Sequence, residues 1–301
     1  MRKLVLGLCA LALAACSSSE PAKSETIVCT TGMIGDAVQQ LMGKNANVKV
    51  LMGPGVDPHL YKATQGDIAA LTDASAIVYN GLHLEGKMTD IFEKLARNKI
   101  TIAMGDIVAA KRLLNSTDFD GAEDPHIWFD VELWSEAVER LAENLANKFP
   151  EQVDSIGIRM LAYQLKLKAV HNFCLNQTAS LDSNERIMIT AHDAFKYFGR
   201  AYGLEVRGLQ GISTTAEFGL ADVSDLVNYI VENKVKAIFT ESSVSSKSIE
   251  AVIEGCAQRG HEVKLGGELF SDAMGAKDSP EGTYIGMVMY NMTTIVKALG
   301  K

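Results

Sequence analysis

The sequence is poor in cysteine. Of its 301 residues five are Cys, and no two stand in a CxxC spacing, so a thiolate zinc or iron–sulfur site has no framework. It has no excess of positive charge either, with 29 Lys and Arg against 37 Asp and Glu, which argues against a nucleic-acid partner or a polybasic membrane patch. No apolar run reaches bilayer length; Leu4 to Ala15 is too short and has polar residues on both flanks. No flexible linker divides the chain, and its six His include no HxxxH pair. What remains is 22% charged and 47% hydrophobic, an ordinary soluble composition long enough for two domains.

The apolar run has a context. Arg2 and Lys3 precede it, and it ends in Leu13-Ala14-Ala15-Cys16, followed by Ser17-Ser18-Ser19-Glu20-Pro21. Small residues directly before a Cys, after a basic and then an apolar segment, resemble the lipobox of bacterial lipoproteins. That resemblance implies a signal peptide over residues 1–15, a lipidated Cys16 and a Ser-rich tether over 16–25. The membrane would then be met through the lipid anchor alone, with the protein in the cell envelope facing the periplasm or the exterior. The alternative is an ordinary secretory signal cut near Ala15, with Cys16 incidental. Losing Arg2 and Lys3 leaves 27 basic residues against 37 acidic, a formal net of −10. Export permits a disulfide between Cys174 and Cys256, but buried free thiols at Cys29, Cys174 and Cys256 are the plainer reading.

Beyond the tether, strands alternate with helices. Thr26 to Thr30, Val48 to Leu51, Ala76 to Tyr79 and Ile100 to Met104 read as strands of a first lobe, residues 26–150. Arg186 to Thr190, Glu205 to Leu209, Ala237 to Thr240 and Val263 to Leu265 read as strands of a second, residues 179–301. The intervening helical spacings predict α/β lobes built on parallel sheets. Ala76-Ile77 to Gly105 and Ala237-Ile238 to Gly266 have the same spacing, which hints at two pseudo-symmetric lobes. Between them, Val153, Ile156, Met160, Tyr163, Leu167, Val170 and Cys174 recur three and four apart, the stripe of one long helix spanning residues 151–178. Ile158, Leu161, Leu165 and Phe173 place apolar groups elsewhere on it, predicting burial by both lobes. Its 22 residues from Val153 to Cys174 span roughly 33 Å, a rigid spine that permits tilting but no wide clamshell motion.

Three His share a setting. His59 follows Gly53-Pro54-Gly55-Val56-Asp57-Pro58, His126 follows Glu123-Asp124-Pro125, and His192 lies in Thr190-Ala191-His192-Asp193. Each stands near the carboxyl end of a strand, where open α/β sheets bind ligands, beside a Pro or Asp that restrains it. His is a common metal ligand, and three such positions together suggest a site gathered by the fold. His83 is placed similarly, His171 lies in the spine and His261 in an exposed turn. A completing carboxylate could come from Glu241, Glu268 or Asp272; for any one of them taken alone, a helix cap or a solvated charge is the commoner role.

The chain resembles the TroA-type manganese/zinc-binding lipoproteins that serve metal ABC transporters. The likeness runs through Gly55-Val56-Asp57-Pro58-His59, Asn80-Gly81-Leu82-His83-Leu84-Glu85, Asp124-Pro125-His126-Ile127-Trp128, Ala191-His192-Asp193-Ala194-Phe195, Glu241-Ser242-Ser243 and Leu269-Phe270-Ser271-Asp272, in that order. It implies metal ligands at His59, His126, His192 and Asp272, two per lobe, with Glu241 orienting a ligand His and His83 not ligating. One Mn2+ or Zn2+ per chain, carried by a monomer to ABC permease subunits, follows from the same resemblance, with iron also accommodated. Three neutral imidazoles and one carboxylate suit zinc and accept manganese or iron. Family members tuned to manganese commonly have Glu where this chain has His192, and dedicated zinc carriers often have a His-rich loop where Ala109 to Glu123 has no His. The mixed type is implied, with zinc bound at least as tightly.

Two other functions compete. An envelope zinc hydrolase needs three ligands, an open position and a base, for which Glu241 or Glu268 is available. An adhesin could use the same fold secondarily. Asp272 discriminates, because a fourth protein ligand closes the site and leaves a non-catalytic carrier.

Overall fold

A computed structural model describes residues 25–116 and 121–300. The signal peptide, Cys16 and all of the tether but Glu25 lie outside the described residues. The first lobe runs β1 (Thr26–Cys29), α1 (Gly32–Met42), β2 (Asn47–Val50), α2 (Gln65–Asp73), β3 (Ala76–Tyr79), α3 (Thr89–Ala96) and β4 (Ile100–Ala103). Two helices follow, α4 (Val131–Lys148) and α5 (Val153–Thr178). The second lobe runs β5 (Ile187–His192), α6 (Lys196–Tyr202), β6 (Glu205–Gln210), α7 (Leu220–Asn233), β7 (Ala237–Glu241), α8 (Lys247–Gln258), β8 (Lys264–Leu269) and α9 (Tyr284–Leu299).

Each lobe holds a four-stranded parallel sheet, ordered β2-β1-β3-β4 and β6-β5-β7-β8. The two orders are the same once the second is renumbered from β5, so the lobes are pseudo-symmetric. The central strands β1, β3, β5 and β7 are almost wholly buried, whereas β2, β6 and β8 have exposed positions, as expected when helices cover both faces of a parallel sheet. In both sheets the chain reverses direction of winding between the first and third strands, which opens a crevice at their carboxyl ends.

The lobes share one core. A continuous apolar cluster includes Val78 and Trp128 from the first lobe, Tyr163 and Leu167 from α5, and Phe195, Phe239 and Tyr284 from the second. Polar tips of buried aromatics bond across the boundary: Trp128 Nε1 donates to the Ser271 carbonyl (3.1 Å), Tyr284 Oη to the Trp128 carbonyl (2.8 Å) and Tyr197 Oη to the Asp124 carbonyl (3.0 Å). Each of these groups would cost free energy if buried alone, so the pairs fix the lobes' relative placement.

Three expectations change. The spine helix α5 buries a single stripe, Ile156, Tyr163, Leu167, Val170 and Cys174, against α1, α4 and α9. Ile158 (70%), Leu161 (59%) and Leu165 (72%) face solvent, because the packed elements lie on one side of the helix and cover only an arc of it. Strand β8 extends to Leu269 through Gly266 and Gly267, which places Glu268 inside the strand, exposed and opposite Thr240. The matched glycines are no symmetry mark, since Gly105 follows β4 in a turn and Gly266 sits within β8. The three cysteines Cys29, Cys174 and Cys256 are free and buried, with no Cys174–Cys256 bridge; burial, against the opposing hydrogen bond with Tyr202, pushes the Cys174 thiol up to about 12, which makes it inert.

Candidate metal centre

Four loops or strand ends converge where the lobes meet. His59 follows β2, His126 ends the long segment after β4, His192 is the last residue of β5, and Asp272 follows β8. One donor atom from each of His59, His126, His192 and Asp272 lies within 4.8 Å of the others. The Asp272 carboxylate stands 3.3 Å from His192 Nε2, 3.4 Å from His126 Nε2 and 3.9 Å from His59 Nε2. A tetrahedron with bonds of about 2.0–2.1 Å has edges of about 3.4 Å, so the His192–Asp272 and His126–Asp272 separations already match a small bound cation, and the wider ones, up to 4.8 Å, would close around it.

The donors are buried and unspent. His126 and His192 are 0% exposed, Asp272 1% and His59 4%. The three Nε2 atoms and both Asp272 oxygens make no hydrogen bond to the described residues. Five such atoms facing one another would each carry a desolvation cost, which a shared cation removes. Electrostatics agrees in direction. Burial opposes the charged form of Asp272, but His192 and His126 outweigh it and hold the carboxyl well below its ordinary range. Burial pulls His59 down to about 3, against the attraction of Asp272. His126 is pulled down by burial, yet Asp124 and Asp272 raise it to about 9. His192 is likewise raised by Glu241 and Asp272 over the opposing burial.

Two of the rings are aimed by a carboxylate and the third is not. Glu241, the last residue of β7, neighbours His192 at the sheet's crevice; its carboxylate accepts from the His192 backbone N–H at 2.8 Å and lies 2.5 Å from Nδ1. Gly208 in β6 leaves room for the backbone at the end of β5, since a Cβ there would stand 2.5 Å from the Asp193 nitrogen and 2.6 Å from the His192 carbonyl carbon. Asp124 does the same for His126, accepting from its backbone N–H at 3.0 Å and lying 2.7 Å from Nδ1. A carboxylate on Nδ1 fixes the tautomer that frees Nε2 for a metal. Among the described residues His59 has only a backbone anchor, its N–H donating to Asp57 Oδ1 at 2.8 Å. Asp124 was legible in the sequence only as a neighbour restraining His126; the Asp-Pro-His spacing, which lets the Asp side chain turn back on the His, was the available signal.

The other candidates fall away. His83 is exposed at positive φ, His171 and His261 lie outside the cluster, and Glu268 faces solvent.

A family model described as zinc-uptake complex component A, periplasmic, matches residues 27–298. The chain belongs to this family. Among its relatives, the manganese-binding lipoprotein MntA of Bacillus subtilis (strain 168) is 42% identical over 292 residues, 96% of this chain and 95% of the relative. The zinc-binding protein TroA of Treponema pallidum (strain Nichols) is 45% identical over 275 residues, 91% of this chain and 89% of the relative. A solved structure of periplasmic zinc-binding TroA from Treponema pallidum superposes with a TM-score of 0.90 at 44% identity, covering 93% of this chain and 100% of that one. Members of the zinc-uptake component A family are transport proteins, and this chain, as one of them, is not an enzyme.

Proposed function

We propose that the chain captures one divalent transition metal outside the cytoplasm and hands it to the permease of an ABC transporter. His59, His126 and His192 bind through Nε2 and Asp272 through its carboxylate, while Glu241 and Asp124 hold the rings of His192 and His126. The observation that carries this is the convergence of four buried donor residues whose facing atoms lack hydrogen bonds. Names of relatives that bind manganese or zinc support it.

A closed set of four protein ligands suits carriage rather than hydrolysis, which needs an open position. Neither candidate base is at hand: both Glu241 oxygens serve His192, and Glu268 is exposed on β8. With Asp272 ionised the loaded site carries a formal +1. Its three imidazoles favour zinc over manganese in affinity, so zinc binds at least as tightly in vitro and availability decides the cargo. Anchoring through a lipidated Cys16 is consistent with relatives named as lipoproteins. Among the described residues no helix is long and apolar enough to cross a membrane.

Metal analysis and competitive titration of the purified mature chain test the reading. About one zinc or manganese per chain is expected, with Asp272→Ala weakening binding by about a hundredfold or more, on the scale of an uncompensated buried group. Absence of bound transition metal, or unchanged affinity in Asp272→Ala, sinks it.

A further inference from the structure

One cleft reaches the cluster. A cleft of about 530 Å³ opens between the lobes, lined by His59, His83, Lys87, Glu123, Ile212 and Ser213 among others. Of the four converging residues His59 is the one that lines it. His59 is also the most exposed of the four, and no carboxylate holds its ring among the described residues.

Among the described residues a side-chain bond ties the loop carrying His59 across the cleft. Asp57 uses Oδ1 to accept the His59 N–H, and its Oδ2 accepts from Thr214 Oγ1 of the other lobe at 2.6 Å. Thr214 is itself anchored: Gln210 Nε2 donates to the Thr214 carbonyl (2.6 Å) and to the Ala216 carbonyl (2.7 Å). Gln210 ends β6, in register with His192 at the end of β5. A chain of contacts therefore runs from the His192 strand through Gln210, Thr214 and Asp57 to the backbone of His59. The two loops are pseudo-symmetric mates, since each follows the second strand of its lobe. Gly55 shapes the first of these loops through its φ of 71°, and lies beside the second lobe, where a Cβ would stand at ordinary contact distance, 3.5 Å, from the Ser242 carbonyl after β7.

We infer that the ion enters and leaves past His59, and that Thr214 is a positioning residue which, through Asp57, holds the His59 loop against the second lobe and sets the rate of ion release. The inference rests on the metal-carrier reading above. When the Thr214–Asp57 bond opens, His59 is the ring free to swing into the cleft, while the rings of His126 and His192 stay held by Asp124 and Glu241. Capture depends on encounter and is insensitive to the bond; release requires breaking it.

The test is stopped-flow kinetics with Zn2+ on the mature chain, measuring association directly and dissociation by chase into excess EDTA. Thr214→Val keeps the side chain's shape and removes the donor; Thr214→Ser keeps the donor. Thr214→Val is expected to release Zn2+ about tenfold faster, as loss of a hydrogen bond to a carboxylate implies. Its association rate and its melting temperature without metal should match the wild type, and Thr214→Ser should restore slow release. Wild-type release from Thr214→Val overturns the inference, as does a Thr214→Ser variant no slower than Thr214→Val. A lowered melting temperature with both rates altered also overturns it, because that marks a merely structural contact. A wild type that binds no Zn2+ would instead overturn the carrier reading itself.

Discussion

The tripeptide Asp-Pro-His occurs twice, at Asp57-Pro58-His59 and Asp124-Pro125-His126, and the two copies do different work. In both, the Asp accepts its His backbone N–H, at 2.8 Å and 3.0 Å. Asp124 turns its same oxygen to the His126 ring, whereas Asp57 spends its second oxygen on Thr214 of the opposite lobe. His126 is consequently wholly buried, with its ring charge favoured; His59 borders the cleft with its ring charge disfavoured. One motif builds a fixed wall of the site and the other a door. The segment around them decides which: Pro125 is held by Asn80, whose Nδ2 donates to its carbonyl at 2.9 Å, while Glu85 clasps the turn at Asn80 and Gly81.

The comparison can be broken by experiment. The largest effect is expected in stability without metal. His126→Ala leaves the buried Asp124 carboxylate without its ring partner and should cost about 3–5 kcal/mol in denaturant unfolding at neutral pH. His59→Ala removes a neutral ring with no carboxylate partner and should cost well under half as much; equal losses would refute the wall-and-door distinction. Next in size is the carboxylate behind the ring. Asp124→Asn should weaken equilibrium Zn2+ affinity about 10–100-fold by competitive titration, whereas Asp57→Asn should change affinity less than tenfold.

Protons sharpen the same contrast. His126 is raised above its ordinary value to about 9, so its pairing with Asp124 supports the metal-free fold below about pH 6.5 and is lost as pH rises through about 9. A metal must displace that proton and the one on His192, so affinity should rise with pH by about tenfold per unit for each proton released. His59, lowered to about 3, contributes no proton near neutrality. Calorimetry of Zn2+ binding in buffers of different ionisation enthalpy should therefore register proton release in wild type, and less of it in His126→Ala but not in His59→Ala. The smallest effect belongs to Asn80→Ala, which loosens Pro125 and should lower affinity only a few-fold, the scale of one neutral hydrogen bond.

Much of this was readable along the chain. Alternating strands and helices, the long stripe from Val153 and the order of His59, His126, His192 and Asp272 are local patterns or motif matches, and local patterns survive the loss of three-dimensional context. The outward face of α5 is exposed against expectation, because composition reveals that Ile158, Leu161 and Leu165 are apolar and does not reveal where a partner element lies. The sequence pattern ends the strand at Leu265, as two glycines normally break one; here Gly267 adopts φ 132° at an irregularity in the pairing with β7, and the strand runs on through Glu268 to Leu269.

By itself the sequence determined the donor chemistry and the stiffness of each His loop, since side-chain type and Pro or Asp neighbours are properties of adjacent residues. Tertiary structure alone decided which His became wall and which became door. That choice depends on where the second oxygen of an Asp finds a donor, and for Asp57 the donor is Thr214, 157 residues away. Only the docking of one lobe on the other brings such a pair within hydrogen-bonding reach.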